Sequence, residues 1–509
     1  MPERKKFYIT TPIYYVNDVP HIGHAYATIA ADVLARYHRL MGDDVFFLTG
    51  VDENSQKNIE AANNVGKEND VQGYLDEMSA KWQFAWKTLG ITNDDFIRTT
   101  EARHKKGVLE FVERVYKKGD IYFGTYEGLY CPRCEEFKTE TDAPDGLCPI
   151  HQVKLDHLTE KNYFFKLTKY RDALLKHFEE HPDFVQPLTR RNEILNYIKD
   201  HLTDMSITRS TMQWGIAMPE LEPGMSKNVI YVWFDALINY LTAVGFGSDE
   251  KRFDTLWPAQ LHLVGKDILK FHAALWPAML MSADLPLPEH VFAHGFFTIN
   301  NQKMGKSAGN AVDPYALIKT YGNDALRYFL LREIPFGKDG DFSEEKLKDR
   351  FNGDLAHGLG NLVSRTLAMV EKYCDGVIPN PTTGGFSDEI KKQTIAAWDI
   401  HAGKLSQFKL DEALVAVQVY IGVLNLYIDM QKPWQLAKEK SGQLGQVLFD
   451  LCEGLRSIAL MLAPFMPDAA NAIHEQLGLG KILSYEHSDV AVQPGAKISK
   501  GDNLFPVIE

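Results

Sequence analysis

Cysteine is scarce in this chain, with five residues in 509. Three of the five fall between residues 131 and 148 while Cys374 and Cys452 stand alone, which excludes a disulfide framework and fits a reducing compartment with one metal site. No run of about 18 uncharged apolar residues occurs, so no membrane span is expected. The start, MPERKKFYITTP, lacks the apolar core and small-residue cleavage site of a signal peptide. A cytoplasmic protein is expected. A basic excess is missing too: 55 Lys and Arg against 68 Asp and Glu leave a net charge of -13. That excludes a uniformly basic nucleic-acid binder, though not contact through local basic faces. Internal repeats and low-complexity segments are absent.

What is present is ample material for packed cores. Hydrophobic residues make up 45% and charged residues 24%, so a chain of this length should divide into roughly three or four domains. The stretch that organises it is FYITTPIYYVNDVPHIGH, residues 7 to 24. Phe7 to Thr10 reads as a buried strand ending at Pro12, and a helical pattern opens at His21-Ile22-Gly23-His24. A helix N-terminus suits an anion, Gly23 keeps the backbone approachable, and His21 and His24 share a face. By themselves, two histidines at this spacing are more often a pair of surface or core residues, since four-letter matches recur by chance. A second loop, Lys303-Met304-Gly305-Lys306-Ser307, follows the apolar run 291–299 and precedes a helix capped by Asp313-Pro314.

With both loops in this order, the chain resembles the class I aminoacyl-tRNA synthetases, whose signatures are a HIGH tetrad after the first strand and a KMSKS loop after the last. The resemblance implies that His21, His24, Lys303 and Lys306 act on the phosphates of ATP, with Gly23 at the nucleotide and Mg²⁺ bound with it.

Further along, Val45 to Leu48 forms a second strand ending near Asp52, placed to pair with an ammonium group or to serve as a turn residue. From Ile121 short strands replace the helical pattern. Cys131-Pro-Arg-Cys134 and Cys148-Pro-Ile-His151 give C-x2-C-x13-C-x2-H, the spacing of a tetrahedral zinc site with no open position. A structural Zn²⁺ is expected there, the alternative being a reduced thiol cluster. The sheet is expected to resume with 229–235, 261–264 and 291–298. Gly265-Lys266-Asp267 then suits a nucleoside or an ordinary turn, and Ile268, His272 and Trp276 fall on one helical face of the kind usually packed as core.

The positions of Ile13, Tyr15, Asp52, Trp233, Ala236, Leu237, Tyr240, Ile268, His272 and Trp276 are similar to those with which methionyl-tRNA synthetases line the methionine pocket. The resemblance therefore implies L-methionine, ATP and tRNA(Met) as partners, with Gly265 and Asp267 at the nucleoside. From about residue 350 strands vanish and a helical bundle is expected. Asn361, Arg365 and Trp434 occupy the family's anticodon-reading positions; without the family they read as a solvated face and a packed corner. The chain ends at LFPVIE without an appended domain, and a monomer is expected.

The expected fold is α/β, a doubly wound, Rossmann-like parallel sheet with an inserted zinc-binding domain, followed by an α-helical bundle. The segments are 1–118 and 226–312 for the catalytic halves, 119–225 for the insertion, 313–350 for a stem-contact junction and 351–509 for the bundle. Gly305 departs from the family's Ser, and Asn54-Ser55 from a common His-Gly. Three other readings remain: a synthetase for another amino acid, a nucleotidylyltransferase without tRNA, and a non-catalytic tRNA-binding or zinc-ribbon protein. The methionine-pocket set, the helical C-terminal third and the intact His and Lys quartet speak against them in turn.

Overall fold

The computed structural model describes residues 4–131, 136–138, 143, 145–149, 152–210, 212–221, 228–299, 302–304, 312–482 and 491–509. The chain enters with β1 (Lys6–Tyr15), crosses through the helix Ile22–Leu40 to β2 (Asp44–Asp52), and goes on to β3 (Asp95–Arg98). Next come β4 (Ile121–Cys131), β5 (Glu136–Lys138) and β6 (Asp156–Phe165), where β4 and β6 form a long antiparallel hairpin. Then β7 (Val185–Gln186) returns to the edge of the first sheet, β8 (Met205–Ser206) extends the hairpin, and β9 (Thr208–Arg209) pairs with β10 (Val229–Ile230). Finally β11 (Leu261–Gly265) and β12 (His290–His294) complete a six-stranded sheet in the order β3-β2-β1-β11-β12-β7, parallel throughout.

Strands of this sheet are apolar on both faces. Phe7 and Ile9 of β1 join one core and Tyr8 the other, as period-two alternation demands of a sheet covered on each side. On the first face lie the helices Ile22–Leu40 and Val71–Thr88, continuous with the C-terminal bundle; on the second lie Ala102–Lys117 and Trp276–Ser282. Strand order reverses between β1 and β11. A crevice must therefore open beyond their carboxyl ends, which is where parallel sheets take ligands.

Two expectations change. β1 does not stop at Pro12 but runs to Tyr15, with a shift of register between Thr10 and Ile13 that absorbs the proline. The run 229–235 is not a strand of the main sheet: β10 has two residues, and Val232–Ala236 is a helical turn. A continuous apolar run is ambiguous between a buried strand and a buried helix, and here tertiary packing chose the helix.

The last third is helical, with Asn361–Cys374, Asp388–Leu405, Leu410–Gln431, Gln443–Leu462 and Pro467–Gln476 packed as a bundle. Among the described residues one stretch, Leu410–Lys438, is long and apolar enough to cross a membrane. It instead packs against Asp388–Leu405 and Gln443–Leu462, with its Leu414, Val417, Ile421 and Leu424 in the core.

Candidate active site

The helix Ile22–Leu40 begins in an unusual way, with two histidines doing what Ser and Glu do in a capping box. His21 Nδ1 accepts from the backbone N–H of Gly23 at 3.1 Å, and His24 Nδ1 accepts from that of His21 at 3.3 Å. A ring nitrogen that accepts carries no proton, so in the neutral rings both protons sit on Nε2. The rings stack with centroids 3.9 Å apart. Gly23 is required by this cap, because a Cβ there would lie 2.9 Å from His21 Cε1.

Both histidines and Gly23 line a cavity of about 1000 Å³ at the crevice between β1 and β11. Its nearer wall carries Ile13, Tyr15 and Asp52, and its farther wall Trp233, Ala236, Leu237 and Tyr240. Gly265, Asp267, Ile268 and His272 close it from the end of β11. Asp52 is buried at the end of β2, where Oδ1 accepts from the Asn54 N–H at 3.1 Å and, at 3.4 Å, from the Thr99 hydroxyl. Asn54 itself ties this strand end to the opposite wall: its Nδ2 donates to Asp235 Oδ2 at 2.6 Å, while His104 Nε2 meets Asp235 Oδ1 at 2.7 Å. Ser55 caps the next helix by accepting from the Lys57 N–H.

The apolar end of the cavity is built of rings. Trp233 stacks on Phe271 at 4.0 Å with planes 4° apart. His272 Nδ1 lies 3.0 Å from the carbonyl of Ile268, which can only accept, so the ring proton is there and Nε2 accepts from the Tyr240 hydroxyl at 2.9 Å. Burial holds His272 at about 4, far below an ordinary imidazole, and raises the Tyr240 hydroxyl well above the usual phenol range. Both groups are neutral at pH 7.

Trp276 is placed otherwise than its spacing suggests. Residues Phe271–Leu275 form a wide π-type turn, which advances the helical face and puts Trp276 behind the cavity wall, fully buried. Its indole N–H donates to His262 Nε2 at 3.2 Å, and His262 Nδ1 in turn donates to the Thr10 hydroxyl at 2.7 Å. Sequence reasoning passed over His262, and also Lys57, which lines the cavity with its ammonium 4.9 Å from the Tyr15 ring centroid. A periodic face would have flagged neither: His262 lies inside a buried strand and Lys57 in a polar helix start.

Of the lysine loop, Lys303 pairs its backbone with Thr298 in the short hairpin of β13 (Phe297–Ile299) and β14 (Gln302–Lys303), and Met304 lines the cavity. Gly305 and Lys306 lie outside the described residues. So do Cys134 and His151 of the zinc pattern. The two described members, Cys131 at the end of β4 and Cys148, are fully buried in one small cluster with Ala143 and Leu155. In the bundle, Asn361 is exposed, Arg365 forms a 2.9 Å ion pair with Asp429, and Trp434 is 46% exposed just after the left-handed Lys432. The helices that bear Asn361 and Trp434 are in contact.

Comparison with known proteins settles the family. The family model described as tRNA synthetases class I (M) matches residues 7–157 and 154–367. The chain belongs to the methionyl-tRNA synthetases. Its enzyme class is methionine–tRNA ligase, a class I aminoacyl-tRNA synthetase that uses ATP. It is similar to the methionine–tRNA ligase of Thermotoga maritima, 48% identical over 99% of this chain and 80% of the relative. It is also similar to that of Streptomyces coelicolor, 43% identical over 99% and 97%. The structure of the Mycobacterium tuberculosis methionyl-tRNA synthetase in complex with methionyl-adenylate superposes with a TM-score of 0.93, at 40% identity over 99% of this chain and 100% of that one. The free-state structure of that synthetase superposes with a TM-score of 0.85, at 38% identity over 100% of this chain and 99% of that one.

Proposed function

We propose that the cavity between β1 and β11 activates L-methionine and that the helical bundle selects tRNA(Met). The gathering of His21, His24, Asp52 and the Tyr240–His272 pair around one void at the switch point carries this reading. The Asp52 carboxylate receives the methionine ammonium. The side chain enters among Ile13, Tyr15, Trp233, Ala236, Leu237 and Ile268, with its sulfur toward Tyr240 and His272, and Trp276 supports these rings from behind. A polarizable thioether gains about 0.3–1.5 kcal/mol from each such ring contact.

The methionine carboxylate oxygen then attacks the α-phosphorus of ATP in line. The bond to the bridging oxygen of the β-phosphate breaks, and pyrophosphate leaves with that electron pair. Charge grows on the α-phosphate oxygens, and the two Nε2–H groups of His21 and His24, held in place by their own helix cap, donate to it. Lys303 and Lys306 neutralise the departing phosphates, to which Mg²⁺ comes bound as part of the ATP. Gly265 admits the nucleoside closely, since a side chain there would meet Asp267 Oδ1 at 2.8 Å, and Asp267 accepts from the ribose hydroxyls. A terminal tRNA hydroxyl then attacks the methionyl carbonyl, and AMP leaves.

Cys131, Cys134, Cys148 and His151 hold a structural Zn²⁺, which supplies a rigid cross-link and no reacting group; the shared burial of Cys131 and Cys148 fits that use. Asn361, Arg365 and Trp434 read the anticodon by hydrogen bonds and stacking on splayed bases. The segments 1–118, 119–225, 226–312, 313–350 and 351–509 act as catalytic half, zinc-bearing insertion, catalytic half, stem-contact junction and bundle, in a cytoplasmic monomer serving translation. Amino-acid-dependent exchange of labelled pyrophosphate into ATP, run with all twenty amino acids and without tRNA, tests the reading. Exchange with methionine alone supports it. Exchange with a different amino acid would overturn the pocket assignment, and no exchange would overturn the chemistry.

A further inference from the structure

Between the sheet domain and the bundle lies the helix Asn323–Arg332, in contact with both. Its Arg327 is fully buried and directs its donors to three separate parts of the chain. Nη2 donates to Asp32 Oδ2 at 2.7 Å and to the Pro464 carbonyl at 3.0 Å, Nε to the Phe465 carbonyl at 2.8 Å, and Nη1 to the Leu89 carbonyl at 3.2 Å. Asp32, also fully buried, sits midway along the helix whose first turn carries His21 and His24. Pro464 and Phe465 form the turn between the bundle helices Gln443–Leu462 and Pro467–Gln476. One guanidinium therefore links the helix that starts at the reaction centre to a turn between two bundle helices, where the bundle meets the sheet domain.

The link is asymmetric. Asp32 keeps other partners inside the sheet domain: Arg36 Nε at 2.7 Å, and the Thr92 N–H and hydroxyl at 2.8 and 2.6 Å. Without Arg327 the first helix would stay seated, whereas the Pro464–Phe465 turn would lose the side chain that ties it to that helix. A buried ion pair is a costly way to gain stability and a good way to define one geometry.

We propose that Arg327, acting through Asp32, is a positioning residue for the tRNA-dependent step: it holds the bundle and the first helix in one register, so that base contacts at Asn361, Arg365 and Trp434 are expressed as the rate of methionyl transfer to the tRNA at the cavity between β1 and β11. The proposal rests on the anticodon reading of the bundle given above.

The test compares Arg327→Lys and Arg327→Gln with wild type in three measurements. They are methionine-dependent pyrophosphate exchange without tRNA, the kcat and KM of tRNA(Met) charging, and the ratio of charging rates for tRNA(Met) and the same tRNA with an altered anticodon. Exchange should stay within about two-fold of wild type, while the charging kcat falls about ten-fold and the anticodon ratio shrinks by a similar factor, in the usual range for coupling between sites. Lys, which can still reach Asp32, should recover part of the loss. An unchanged anticodon ratio, or exchange falling in step with charging, overturns the proposal. If the Arg327 variants do not fold, Asp32→Asn, which keeps the shape and an acceptor, takes their place in all three measurements, and either of those two results in it overturns the proposal equally. A wild-type enzyme indifferent to the anticodon would overturn the bundle reading and this proposal together; a selective wild type with an equally selective variant overturns only this one.

Discussion

Tyr240 donates its phenolic proton to Nε2 of His272 across 2.9 Å, because the other nitrogen of that ring is committed to the Ile268 carbonyl at 3.0 Å. The pair is buried, neutral and fixed in direction. It presents polarised but uncharged groups to whatever side chain enters beside Trp233, which suits a thioether and disfavours a charged one.

Tyr240→Phe removes that hydroxyl while keeping the ring. One hydrogen bond is worth about 0.5–1.5 kcal/mol net, so KM for methionine should rise roughly two- to twelve-fold with kcat little changed. Preference for methionine over norleucine should fall by a similar factor. Steady-state exchange kinetics with both amino acids check this.

Burial holds His272 at about 4, so its ring does not gain a proton anywhere near neutrality. KM for methionine should stay flat from pH 8 down to about 5.5, where an imidazole of ordinary pKa near 6.5 would already be mostly charged. An inflection near 6.5 in a pH series would contradict the assigned state. The same shift makes His272 a source of acid sensitivity: its folded pKa is depressed, so its contribution to stability is present above 6.5 and lost as pH falls toward 4.

Asp324 behaves in the opposite sense. Burial raises its carboxyl to about 6, although the Ala469 N–H donates to it at 2.7 Å. A carboxyl raised above its unfolded value of 3.8 contributes stability that is present below 3.8 and lost as pH rises through about 6. Asp324→Asn keeps an acceptor for Ala469 and does not titrate. The difference in Tm between variant and wild type should therefore move in the variant's favour from pH 4 to pH 7. A pH-independent difference would contradict the buried, proton-holding state.

Elemental analysis of the purified chain should find one zinc per molecule. Cys148→Ser should lose it and lower Tm, since a structural zinc is part of the folding free energy. A metal-free wild type of full stability would remove the zinc assignment.

Much of the centre is legible in the sequence alone. The tetrad and the lysine loop point to the phosphate site proposed above, and Asp52 falls on the sheet edge that bounds the cavity because parallel strands place their carboxyl ends together. What stays hidden is geometry of longer reach. That His21 and His24 cap their own helix depends on side-chain rotamers, which spacing does not specify. Trp276 leaves the expected face because it follows directly on the π-type turn Phe271–Leu275, which contains His272. Arg327 looks like any helical arginine. Its partner Asp32 is 295 residues away in the chain, and no local pattern records such a pairing.

In the function proposed above, the two histidines, locked by their cap with protons on Nε2 of the neutral rings, stabilise the charge that develops at the α-phosphate. His21→Asn tests it most directly, because asparagine is itself a good N-cap and can still accept from the Gly23 N–H, so the helix start survives. Single-turnover formation of methionyl-adenylate without tRNA is the measurement. The rate should fall about a hundred-fold or more below wild type, the cost of losing one such donor, with KM for methionine little changed. Adenylate formation at the wild-type rate would contradict it.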